Sequence, residues 1–150
     1  MEQGSTDTIS ESAARAAFFD HLVQKAEAAR LKYGLYIDAE TILRMLDDRD
    51  VVRYPTSVHF DATLLEPQEF AFPKPLGFHS SDGFCLFIHP HFRSQPENLP
   101  LLIAYHIPTI NYGSIVEPQH AEVFGATLLG LEVEAYYQAL CELTESIPRP

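Results

Sequence analysis

Four histidines are set into the most apolar stretches of this sequence: His59 in SVHFDATL, His89 and His91 in GFCLFIHPHF, and His106 in LLIAYHIP. An imidazole nitrogen inside strand-like apolar sequence needs a partner, because burying an unpaired polar group costs about 1–3 kcal/mol. On the alternating segment, His59 and Asp61 fall on one face two residues apart. His89 and His106 stand near the ends of two segments expected to pair as strands. With the three strands adjacent and in register, His59, Asp61, His89 and His106 converge, and such nitrogen and oxygen ligands suit zinc, iron or manganese. A one-residue slip sends a side chain to the opposite face, so this metal site is conditional on register. In the alternative, each histidine bonds a carboxylate, a carbonyl or water. His91 follows Pro90, which cannot donate to a ladder, and is placed in a loop.

Other patterns carry less. Gly83 followed by His89-Pro90-His91 is similar in spacing to the first motif of the cupin barrels. Glu97 comes late for that motif, no second motif follows Gly113, and the flanking helices fit a barrel badly, so no membership follows. ATLLGLEVEAYYQAL is similar in pattern to a bacterial helix-turn-helix. Its second helix carries Glu132, Glu134 and Glu142 with no Lys or Arg before Arg149, whereas a recognition helix needs cations for phosphates. The Leu129-Gly130-Leu131 corner is therefore read as a join between packed helices. His120 and Glu122, two apart, do not share a helix face. There is no nucleophile elbow, dinucleotide fingerprint or phosphate loop, so neither a catalytic constellation nor a cofactor-binding motif is assigned.

Charge narrows the partners. Lys and Arg number 10 against 21 Asp and Glu, a net charge of −11. From Pro75 to Pro148 the sole cation is Arg93 among eight acids, a half that repels nucleic acid and anionic membrane alike. Arg93 is expected to neutralise nearby acids, or else to anchor a carboxylate ligand. No basic-then-apolar leader opens the sequence, and no apolar run reaches the ~20 residues of a membrane span. Cys85 and Cys141 have apolar neighbours and read as reduced thiols, so a cytoplasmic location is expected.

The elements follow from period. Residues 1–9 read as a flexible tail, and 10–150 as a single domain. Ser10 is expected to cap a helix through Tyr33, with Gly34 as its stop, and Asp38 to cap a second carrying Ile42, Met45 and Leu46. Ser57 to Leu64 alternates as a half-exposed strand, and EFAFP suits a short edge strand. Phe84 to His89 and Leu101 to Ile107 are apolar on both faces and are expected to form the sheet centre, with Leu86, Ile88, Ile103 and Tyr105 largely buried. Helical period returns from Pro118 to Gly130 and again from Val133 to Leu143.

The expected fold is α+β: an antiparallel sheet of three to five strands flanked by two N-terminal and two C-terminal helices. The favoured function is a small binding or assembly module, non-enzymatic, acting through a protein partner or by self-association as a homo-oligomer. The alternative is a metal-binding protein or metal-dependent enzyme using the His/Asp set.

Overall fold

The computed structural model describes residues 2–149, with side chains from residue 10 onward. Helix α1 (Glu2–Tyr33) buries Leu22, Ala26 and Ala29, a seam at helical spacing. It ends where the Gly34 N–H reaches back to the Arg30 carbonyl at 2.8 Å, with Gly34 at φ 101°. Its start differs from expectation: the helix continues back to Glu2, so Ser10 lies inside it and caps nothing. Met1 and the side chains of residues 2–9, where the tail was expected, lie outside the described residues. Helix α2 (Ala39–Leu46) is capped as expected. Asp38 accepts the Thr41 N–H at 2.9 Å, and Ile42, Met45 and Leu46 are buried.

Three strands form one sheet in the order β1 (Thr56–Phe60), β3 (Phe84–Ile88), β2 (Ala71–Pro75). Phe84–Ile88 is the centre, as its two-faced apolarity predicts. The sheet is mixed, however, and not antiparallel: β3 runs antiparallel to β2 but parallel to β1. The chain leaves β1, passes beyond the position β3 will take, forms β2, and turns back through 76–83 to fill the gap. Period alone carries no information on that order.

The larger correction is Leu101–Ile107. It lies within helix α3 (Leu99–Tyr112), not in a strand. A short apolar run reads alike as a buried strand or a helix buried all round, and length arbitrates. Here the apolar run extends through Ile110, past Pro108, which sits inside the helix. Pro100 starts α3 at a position where a missing N–H costs nothing. Leu102, Ile103, Ala104, Ile107 and Ile110 all sit at 1% exposure or less, so α3 is the central helix of the core. Tyr105, expected to be buried, is only half-buried.

Helices α4 (Pro118–Leu129) and α5 (Val133–Ser146) follow, giving three helices after the sheet where two were expected, and five in all among the described residues. Gly130 joins α4 to α5 in the left-handed conformation at φ 71°. Arg30 of α1 fills the space beside this corner and donates to the Leu128 carbonyl at 3.4 Å, where the negative end of α4 favours a cation. The corner is thus used in packing. Leu86, Ile88 and Phe92 from the sheet side meet Leu22, Met45, Leu102 and Leu128 from the helices in one core. No helix among the described residues is long and apolar enough to cross a membrane.

Candidate functional site

The expected ligands are held apart by their elements. His59 lies on β1 with its side chain exposed, its ring 6.3 Å from that of Phe87 on β3. Asp61 follows β1, and its carboxylate accepts both the Thr63 N–H at 2.8 Å and the Thr63 hydroxyl at 2.6 Å. Those two bonds hold it below the usual carboxylate range. His89 follows β3, and its Nδ1 accepts the His91 N–H at 3.0 Å. Burial, aided by His91, lowers its pKa. His106 sits on α3, its ring 5.3 Å from that of Phe70 and 5.2 Å from that of Tyr105. Among the described residues no group of three or more His, Cys, Asp or Glu side chains is placed to hold a metal ion. The four do not meet as one ligand set. The reason is the reassignment of Leu101–Ile107, since a helix does not present His106 at a sheet position.

Two histidines that drew no functional reading have packing roles. His120 Nδ1 accepts the Glu117 N–H at 3.0 Å at the start of α4, and its ring meets Phe18 of α1 at 4.9 Å. His21 meets the Tyr112 hydroxyl at 2.7 Å.

What the fold does bring together is on the sheet. Phe84, Leu86, Ile88 and Ala71 turn to the core with Val58 and Phe60 against them. The opposite face carries a row across all three strands, His59–Phe87–Phe72, set by the pairings His59↔Phe87 and Phe72↔Phe87. Phe72 is 37% exposed and Phe87 is half-buried, and neither belongs to the core cluster. Below that row lie Ser57, Cys85 and Lys74.

The two edges of the sheet differ. On β2, the His89 N–H donates to Phe70 and the Leu76 N–H to Gly83, so even-numbered residues bond β3 and odd-numbered ones face outward. The outward positions of the strand include Pro73 and Pro75, which have no N–H. That edge is blunted. On β1, the Pro55 carbonyl takes the Phe84 N–H and the Asp61 N–H donates to Ile88, so odd-numbered residues carry the ladder. Thr56, Val58 and Phe60 turn their backbone groups outward, and no proline interrupts them. At one end, Arg93 Nη2 donates to the Phe60 carbonyl at 3.3 Å while its guanidinium lies 5.6 Å from the Phe60 ring. Arg93, expected to neutralise acids, guards the end of this edge. Alternating prolines at 73 and 75 were the legible signal for one edge. The open edge of β1 depends on strand order, which no local pattern gives.

No protein-family model, curated protein or solved structure matches this chain. The reading of the site therefore rests on its geometry.

Proposed function

We propose that this chain is a non-enzymatic assembly module working through a protein interface, with a second copy of itself added at the open edge of β1. The observation that carries this reading is the contrast between the proline-blunted edge of β2 and the unblocked edge of β1. A strand edge with free N–H and C=O groups is a template for another strand. In an antiparallel two-fold pairing centred on Val58, each Val58 N–H meets the other copy's Val58 carbonyl, and Thr56 faces Phe60. The Phe60 carbonyl keeps a second lone pair beside the Arg93 contact.

A second copy suits this edge better than an unrelated peptide. The joined sheet would end in β2 on both sides, where Pro73 and Pro75 offer no outward N–H, so the assembly closes at two. An added peptide would leave a new open edge. On the outer face, His59 of one copy would lie opposite Ser57 of the other, extending the His59–Phe87–Phe72 row to the seam.

Light scattering across a wide concentration range tests the reading. The expected mass is twice the monomer's 16.9 kDa. Val58→Pro, which removes one outward N–H as Pro73 does on β2, should return a monomer. Ser57→Lys with His59→Lys places lysines opposite each other across the seam from exposed positions, and should do the same with the fold intact. A wild-type chain that stays at monomer mass throughout contradicts the proposal.

A further inference from the structure

A cleft of about 710 Å³ opens between the C-terminal end of α3, the blunted edge of β2 and the 76–83 connection. In a chain of net charge −11, no Asp or Glu lines it. Its ionisable side chains other than tyrosine are Arg53 and His79. The walls are aromatic and aliphatic, and three of their large side chains are open to water: Phe72 at 37%, Ile115 at 62% and Phe78 fully exposed. A volume of this size is ordinary for a small-molecule site, in which apolar walls surround a few placed polar groups.

Arg53 is the placed group. Its guanidinium lies 5.7 Å from the Tyr54 ring centre and 5.5 Å from that of Tyr112. Its Nη1 donates to the Asn111 carbonyl at 3.1 Å, and its backbone N–H to Asn111 Oδ1 at 2.8 Å. Asn111 is itself buried at 7% exposure and donates from Nδ2 to the Val51 carbonyl at 2.9 Å. A buried amide at the end of α3 therefore fixes both the backbone and the side chain of Arg53. Nε and Nη2 have no hydrogen-bond partner among the described residues, and no carboxylate pairs with the guanidinium. Asp82 stands at the margin, its carboxylate packed against Gly77 and accepting the His79 N–H at 3.2 Å, but no acid is among the lining residues. An oriented cation with free donors in such an apolar wall is complementary to a carboxylate.

We infer that this cleft binds a small monocarboxylic acid with an apolar, preferably aromatic, body. The carboxylate bonds Arg53, and the body covers Phe72, Phe78 and Ile115. One arginine matches one carboxylate, and the net charge of the chain disfavours more highly charged anions. This inference is independent of pairing at β1, which is the opposite edge of the sheet.

Titration of the full chain with 4-phenylbutyrate and its neutral amide, followed by calorimetry and by chemical shifts, provides the test. The acid should bind about tenfold or more tighter than the amide, the scale of one charge-assisted contact. Arg53→Gln should erase that gap. Because Arg53→Gln also loosens the bond to Asn111, a second variant, Ile115→Glu, leaves that clamp intact and places a negative charge at the cleft. It should weaken both through the lost apolar contact, and the acid by about tenfold more than the amide. Equal affinity of acid and amide for the wild type, no binding of either, or a gap that survives in folded Arg53→Gln would overturn the inference.

Discussion

The Tyr136 ring occupies the space that a side chain at position 125 would need, so Gly125 of α4 and Tyr136 of α5 are mutually required. Tyr136 is fully buried, and its hydroxyl donates to the Leu101 carbonyl of α3 at 2.6 Å. One side chain thereby joins three helices. In an unhindered helix Gly→Ala stabilises by about 1 kcal/mol. Here Gly125→Ala should instead destabilise by roughly 1–3 kcal/mol, through overpacking against a ring that has nowhere to go. Tyr136→Phe should cost about 1 kcal/mol, leaving the ring in place and removing the bond. Urea unfolding of both variants checks the sign of the first and the size of the second.

His106 gives the fold an acid-sensitive point. Its Nε2 is buried without a hydrogen-bond partner, and burial lowers its pKa from 6.5 to about 4. The unfolded chain thus binds a proton that the folded chain resists between those values. Stability contributed by neutral His106 is full above pH 6.5 and is lost as the pH falls toward 4, a change on the order of 3 kcal/mol. Unfolding free energies measured from pH 7.5 to 4.5 should fall less steeply for His106→Phe than for wild type. Parallel curves would show that the imidazole is solvated in the folded state.

The central helix sets the cost of a cavity. Leu102 and Leu86 are both fully buried, on α3 and β3 respectively. Leu102→Ala and Leu86→Ala should each cost roughly 2–5 kcal/mol by denaturant unfolding. A cost below about 1 kcal/mol at Leu102 would be incompatible with α3 at the centre of the core.

Self-association should strengthen with salt. Two copies of charge −11 repel each other, and salt screens that repulsion over about 10 Å at 0.1 M. The dimer dissociation constant from analytical ultracentrifugation should fall between 0.05 and 0.5 M NaCl, concentrations that bracket that screening range. A constant that rises with salt would point to charge pairing as the driving force, contrary to a seam of backbone bonds.

Local signals in the sequence reached the elements whose surroundings are local. Asp38 and Gly34 mark a helix start and stop through their own backbone bonds, alternation marks β1 although the strand ends at Phe60 and not at Leu64, and Phe84–Ile88 is apolar on both sides because it is central. Leu101–Ile107 reads as a strand by the same signals, because the half-buried stripe of this helix, Leu101, Tyr105 and Thr109, carries no charged residue to reveal its period. Placing His106 on a strand followed from that misreading, and with it the convergence of His59, Asp61 and His89. The Arg53 cleft was not legible at all. Its parts come from residues 53–54, 72–80, 84 and 109–115, and only the fold brings them together.

The backbone amide of Val58 offers the most direct test of pairing at β1. It faces outward from the sheet, so in an isolated chain it meets water. In the proposed pair it donates to the Val58 carbonyl of the second copy. Residue-resolved hydrogen exchange should find this amide protected, with protection that increases with protein concentration and disappears in Ser57→Lys/His59→Lys. Rapid exchange at Val58 under conditions where the protein is fully dimeric would contradict the account.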